Sequence, residues 1–187
     1  MIFKRLFGPS PTQVGGHALY AAMARQARRP SLYSVLGAPD TTEGRFEVYS
    51  LHVALLLLRL KGQGGAVAET AQAVFDAYVK SLDEALREMG VGDIVMGKRM
   101  RKLGEAVYGR MRSLETALAA LPERGPLHAL LERTVFAKDA GGGAEGAGQG
   151  AGPASAGLAD YVVRAATALE GQPLESLLQD GAAWPDP

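Results

Sequence analysis

The sequence predicts an all-α protein: a single helical domain with a long antiparallel helix pair, a flexible Gly/Ala-rich linker and short C-terminal helices. Three observations carry that expectation. Ala, Leu, Met, Arg and Glu, good helix formers, dominate the segments between Gly and Pro breaks. Apolar residues recur at three and four in those segments, and the alternation of a half-buried strand is missing. Finally, 187 residues, 47% of them apolar, are enough for one domain that buries roughly two thirds of its unfolded surface.

The first helix is expected over 16–28, with Leu19, Ala22, Met23 and Gln26 on one stripe, stopping because Pro30 disfavours a helical Arg29. A short helical turn follows over 31–36, and Gly37-Ala38-Pro39 resets the direction. Asp40, with Glu43 three residues on, reads as a capping box opening a helix to Lys61, whose apolar run over 53–58 should form the centre of the core. After the turn at Gly62-Gln63-Gly64-Gly65, Val67, Ala71, Val74, Phe75, Tyr78, Leu82, Leu86 and Met89 mark one face of a long helix. Gly90 suits its C-terminal cap, where the left-handed conformation costs glycine little. Asp93 is the natural N-cap of the next helix, in which Met100, Leu103, Val107, Met111, Leu114, Leu118 and Leu121 keep helical spacing down to Pro122. Another helix is expected over 126–137, and shorter ones over 158–169 and 173–178. The expected organisation is therefore an extension over 1–15, the helical domain over 16–138, a Gly/Ala-rich linker over 139–157, and a C-terminal part over 158–187 that either docks back or serves a partner.

Charge is segregated, although 20 Lys and Arg balance 20 Asp and Glu, so no global field draws in nucleic acid or anionic lipid. Residues 1–29 carry Lys4, Arg5, Arg25, Arg28 and Arg29 with no acid. Acids dominate 69–93, and bases dominate 94–112. No cysteine is present, which excludes disulfides, thiolate catalysis and Cys-based metal sites. Met1–Phe7 is too short an apolar start for a secretory signal, and no apolar run approaches a membrane span, so a soluble or peripheral protein is expected.

Motifs with catalytic potential fail on inspection. Gly92 to Lys98 imitates a phosphate-binding loop, but Arg99 stands where a magnesium-binding hydroxyl is needed, and a helix precedes it instead of a strand. His17, His52 and His128 lack the spacing that would aim two imidazoles from one helical face, so no metal site or cofactor is expected, and His52 reads as a hydrogen-bonded core residue. Asp76, Lys80, Glu84 and Arg87 are spaced as a solvated ion-paired face, not as catalytic carboxylates. Lys98, Arg99, Arg101 and Lys102, continued by Arg110 and Arg112, form a basic patch suited to ribosomal RNA phosphates, to anionic headgroups, or to the acids across the joint. A ribosome- or RNA-binding module built on 98–112 is the alternative reading.

The chain resembles the ubiquinol-cytochrome c chaperone family. One block is Gly37 to Glu47, including Asp40, Arg45 and Phe46, followed by Leu51 and His52. The second is Phe75-Asp76 with Asp83, Arg87, Glu88, Gly90, Gly92 and Asp93; the third is Lys98 with Tyr108-Gly109-Arg110. Ala38 departs from an expected valine, and Ser81 from an expected acid. The resemblance implies an α-helical chaperone, not an enzyme, whose client is nascent or unassembled cytochrome b, acting beside a ribosome or membrane surface with a small helper protein and no DNA. The lack of a transit peptide and the Ala/Gly-rich tail fit a bacterial-type member, cytoplasmic and peripheral at the inner face of the membrane. Under that resemblance, apolar side chains around the 42–61 helix and the long pair form a surface for a transmembrane client segment, Asp40, Arg45 and His52 order that region, and Lys98 to Lys102 face the ribosome or membrane.

Overall fold

The computed structural model describes residues 8–88, 90, 93–137 and 153–187, and these form eight α-helices with no strand among them. They are α1 (Pro11–Ala27), α2 (Pro30–Ser34), α3 (Thr42–Leu60), α4 (Gly65–Glu88), α5 (Asp93–Ala119), α6 (Gly125–Arg133), α7 (Pro153–Gly171) and α8 (Leu174–Asp180). The all-α expectation holds. Residues 1–7 and the linker stretch 138–152 lie outside the described residues.

Helix starts differ from the sequence-based expectation at α1, α3 and α7, the first two for local reasons. α1 begins at Pro11 instead of Gly16, because Ser10 and Gln13 form a reciprocal capping box and Pro11 needs no amide partner in the first turn. α3 is capped by Thr41, whose hydroxyl accepts from the Gly44 amide at 3.0 Å. Asp40 is not the cap; its carboxylate is held by Arg45. α7 also starts earlier than expected, at Pro153, and the helix preceding Pro122 ends at Ala119.

α3 is the axle of the fold. Its residues Val48 to Leu56 are buried on every side, and α1, α4, α5 and α7 all pack against it. That accounts for the unbroken apolar run, since a helix surrounded by others has no solvated stripe to keep polar. α1 and α4 approach closely at Gly16, where a Cβ would stand 2.5 Å from the Ala73 Cβ and 2.9 Å from the Thr70 carbonyl. α4 and α5 fold back on each other, bringing Phe75 and Tyr108, about equally far from the joint, to a ring separation of 5.3 Å. Gly90 closes α4 with φ +80°, its amide donating to the Arg87 carbonyl at 2.9 Å.

α5 is also tied to α3 by ion pairs of opposite sense. Arg110 of α5 grips Glu47 of α3, and Lys61, just beyond α3, meets Glu115 of α5 at 2.6 Å. α7 lays Leu158, Ala159, Tyr161, Val162, Ala165 and Leu169 into the core cluster. Beyond α8, residues 181–187 return across the body. Gln172 donates to and accepts from the Ala183 backbone at 2.8 Å each way, Gln26 donates to the Pro185 carbonyl, and Arg29 pairs with Asp186.

Candidate functional site

The end of α1, α2, the first half of α3 and the second half of α4 enclose an open groove of about 460 Å³. Its apolar lining combines Ala27 and Tyr33 with Phe46 and Tyr49 of α3 and Leu82, Ala85 and Leu86 of α4. The sequence places them there by helical spacing. Phe46 and Tyr49 are three apart on α3, and Leu82 and Leu86 four apart on α4, so each pair shares a face.

Aromatic hydroxyls beneath the groove are occupied internally. Tyr49 and Tyr20 hydrogen-bond through their hydroxyls. Tyr33 donates to the Ala27 carbonyl at 2.8 Å. Tyr78 lies 5.3 Å from the Tyr49 ring and shares a hydrogen bond with the Ser50 hydroxyl at 2.9 Å. Burial pushes the Tyr49 phenol well up and the Tyr78 phenol up to about 12, so both remain protonated donors. Neither is an activated nucleophile.

Charged groups rim the groove. Arg45 stacks 5.2 Å over Tyr33 and pairs with Asp40, while Arg28 stacks 5.7 Å over Tyr49. Glu47 is engaged by Arg110, whose guanidinium also lies 5.6 Å from the Phe46 ring. Arg45 and Phe46, singled out by sequence, thus line one site together with Glu47, which is held from outside the lining by Arg110 of the expected basic patch.

Other sequence-derived candidates lie elsewhere. Phe75 stacks on the exposed Tyr108. Asp76 accepts from Gln72 at 2.8 Å, Asp83 pairs with Arg87 at 2.7 Å, and Lys80 meets Glu84 at 3.9 Å, so ion pairs run along that helix face. Glu88 is exposed at the end of α4, and Arg101 is exposed on α5. Gly92 lies outside the described residues, as do the side chains of Asp93, Lys98, Arg99 and Lys102. Arg110 answers part of the question posed by the basic patch, since its partner is an acid of α3 and not of α4. Among the described residues, no group of three or more His, Asp or Glu is arranged to hold a metal.

His52 is fully buried away from the groove, at the centre of a continuous polar chain. Its Nδ1 lies 2.7 Å from the Val48 carbonyl, which can only accept, so Nδ1 carries the proton. Its Nε2 then accepts from the Tyr161 hydroxyl at 2.7 Å, and Gln26 donates to that same hydroxyl at 3.0 Å. Trp184 lies over the imidazole with ring centres 5.3 Å apart. Burial lowers the His52 pKa to about 4, against the opposing pull of the Val48 carbonyl. Burial likewise pushes the Tyr161 phenol up to about 12.

Sequence inspection missed Arg28, Tyr33 and Tyr49 in the groove and Gln26, Tyr161 and Trp184 around His52. The acid-free stretch 1–29 was the one available pointer to Arg28. Nothing in the spacing links Tyr161 to a histidine 109 residues earlier.

The profile of the family described as Ubiquinol-cytochrome C chaperone matches residues 34–184. The crystal structure of the Cbp3 homolog from Brucella abortus is similar along nearly the whole length, covering 99% of this chain and 95% of that one at 30% identity, with a TM-score of 0.80. No curated protein matches.

Proposed function

Because the chain belongs to the ubiquinol-cytochrome c chaperone family, we propose that it is an assembly chaperone for ubiquinol-cytochrome c reductase that holds newly made cytochrome b on a helical apolar surface and performs no catalysis. The observation that carries this reading is the groove between α1, α2, α3 and α4. It is concave, floored by Phe46, Tyr49, Leu82 and Leu86, and its buried hydroxyls already have partners. Such a surface captures apolar segments and offers no reactive group to them. Asp40 and Arg45 brace its edge, and His52 anchors the helix that presents it. Under this reading the protein works at the cytoplasmic face of the membrane that receives cytochrome b. No helix among the described residues is long and apolar enough to cross a membrane.

Two measurements test the proposal together. Photocrosslinkers at Phe46 and Leu82 should capture newly synthesised cytochrome b, while one at the exposed Gln179 of α8 should not. Deleting the gene should lower b-type haem absorbance and quinol-cytochrome c reductase activity in membranes. Normal levels of both after deletion overturn the assembly role.

A further inference from the structure

The groove has an unusual pattern of occupied and vacant polar groups. Tyr49 bonds to Tyr20, Tyr33 to the Ala27 carbonyl, Arg45 to Asp40, and Glu47 to Arg110. Of the charged lining residues, only Arg28 at the end of α1 and Glu43 at the start of α3 have no oppositely charged partner among the described residues. Both are exposed.

That pattern constrains the occupant. An extended peptide entering an apolar groove needs partners for its own amides and carbonyls, and a sheet edge is the usual source. Here the lining offers no strand among the described residues, and its two tyrosine hydroxyls are committed. A helix brings its backbone already satisfied and needs only apolar anchors at helical spacing. The two vacant charges come from different elements, the end of α1 and the start of α3, so they suit a helix that carries an acid and a base on separate flanks.

We propose that the groove recognises an amphipathic helical segment whose apolar face meets Phe46, Tyr49, Leu82 and Leu86, with an acidic side chain set against Arg28 and a basic one against Glu43. This rests on the chaperone reading and specifies the form of client it takes. Arg28 and Glu43 select the orientation of the helix, and the aromatic floor supplies most of the attraction.

The test uses the full chain and labelled model peptides followed by fluorescence anisotropy. The parent peptide carries Leu at i, i+3, i+4 and i+7, with Glu along one flank and Lys along the other. A central proline should weaken binding by about a hundredfold, the equivalent of its helix-interior penalty. Arg28→Glu should weaken the parent by about three- to tenfold, and exchanging the flank Glu for Lys should restore binding to Arg28→Glu but not to the natural chain. Equal binding of parent and proline peptides overturns the helical occupant, and failure of the exchange to restore affinity overturns the role of Arg28. If either result appears while gene deletion still depletes the reductase, the chaperone reading stands and only the form of its client is wrong.

Discussion

Acidification should destabilise this fold through His52. His52 is fully buried, and its pKa of about 4 lies below the ordinary 6.5. Between those values the unfolded chain binds a proton that the folded one refuses, so stability is complete above about pH 6.5 and falls as pH drops toward 4. At pH 5 the penalty comes to about 2 kcal/mol relative to pH 7. The geometry explains the refusal: a proton on Nε2 would turn the acceptor of the Tyr161 hydroxyl into a second donor facing it, beside Gln26. Urea unfolding followed by helix circular dichroism and by Trp184, the chain's single tryptophan, gives stability at each pH and checks two-state behaviour. His52→Gln keeps an acceptor toward Tyr161 but cannot titrate, so its stability difference between pH 7 and pH 5 should shrink by about 2 kcal/mol. An identical pH slope in the natural protein and the variant would refute the reasoning.

Three further outcomes are expected. Gly16→Val should lower stability by about 1–3 kcal/mol in urea unfolding, because its Cβ lies 2.5 Å from the Ala73 Cβ and overpacking forces α1 and α4 apart; an unchanged midpoint would show that the helices separate freely. A double-mutant cycle with Glu47→Gln and Arg110→Gln should give a coupling of about 1 kcal/mol, since the pair is largely shielded, at 14% and 25% side-chain exposure; additive losses would mean the contact contributes nothing. Trp184→Ala should cost about 3 kcal/mol in the same unfolding assay and raise the His52 pKa seen by NMR titration, as water reaches the imidazole; a pKa still near 4 would show that Trp184 does not seal it.

The legible parts of the fold were those governed by local chemistry. Pro30 stops α1, Gly90 closes α4, and the run after His52 becomes the buried axle, each for reasons contained in a few neighbouring residues. The cap of α3 shows how finely such signals compete: Asp40, Thr41 and Thr42 are all able N-caps, and Asp40 is drawn off by Arg45, a side chain more than a full turn away that itself lies over Tyr33 of the preceding helix. At the groove, Phe46 and Arg45 were visible in a motif, whereas Arg28 and Tyr49 depend on how α1 crosses α3, which no spacing within either helix encodes. His52 was recognisable as a satisfied core histidine, but its partner Tyr161 was not, because residues 158–187 carry no mark that says which face of α3 they cover.

That separation along the chain sets an order of events during synthesis. Every residue lining the groove falls between Ala27 and Leu86, so the ribosome has released all of them while Tyr161 and Trp184 are still to be made. Until those residues arrive, the imidazole of His52 lacks its lid and α3 lacks one wall. Closing a contact across 109 residues is slow compared with pairing neighbouring helices, so the groove takes shape first, and the far end of the chain locks it afterwards.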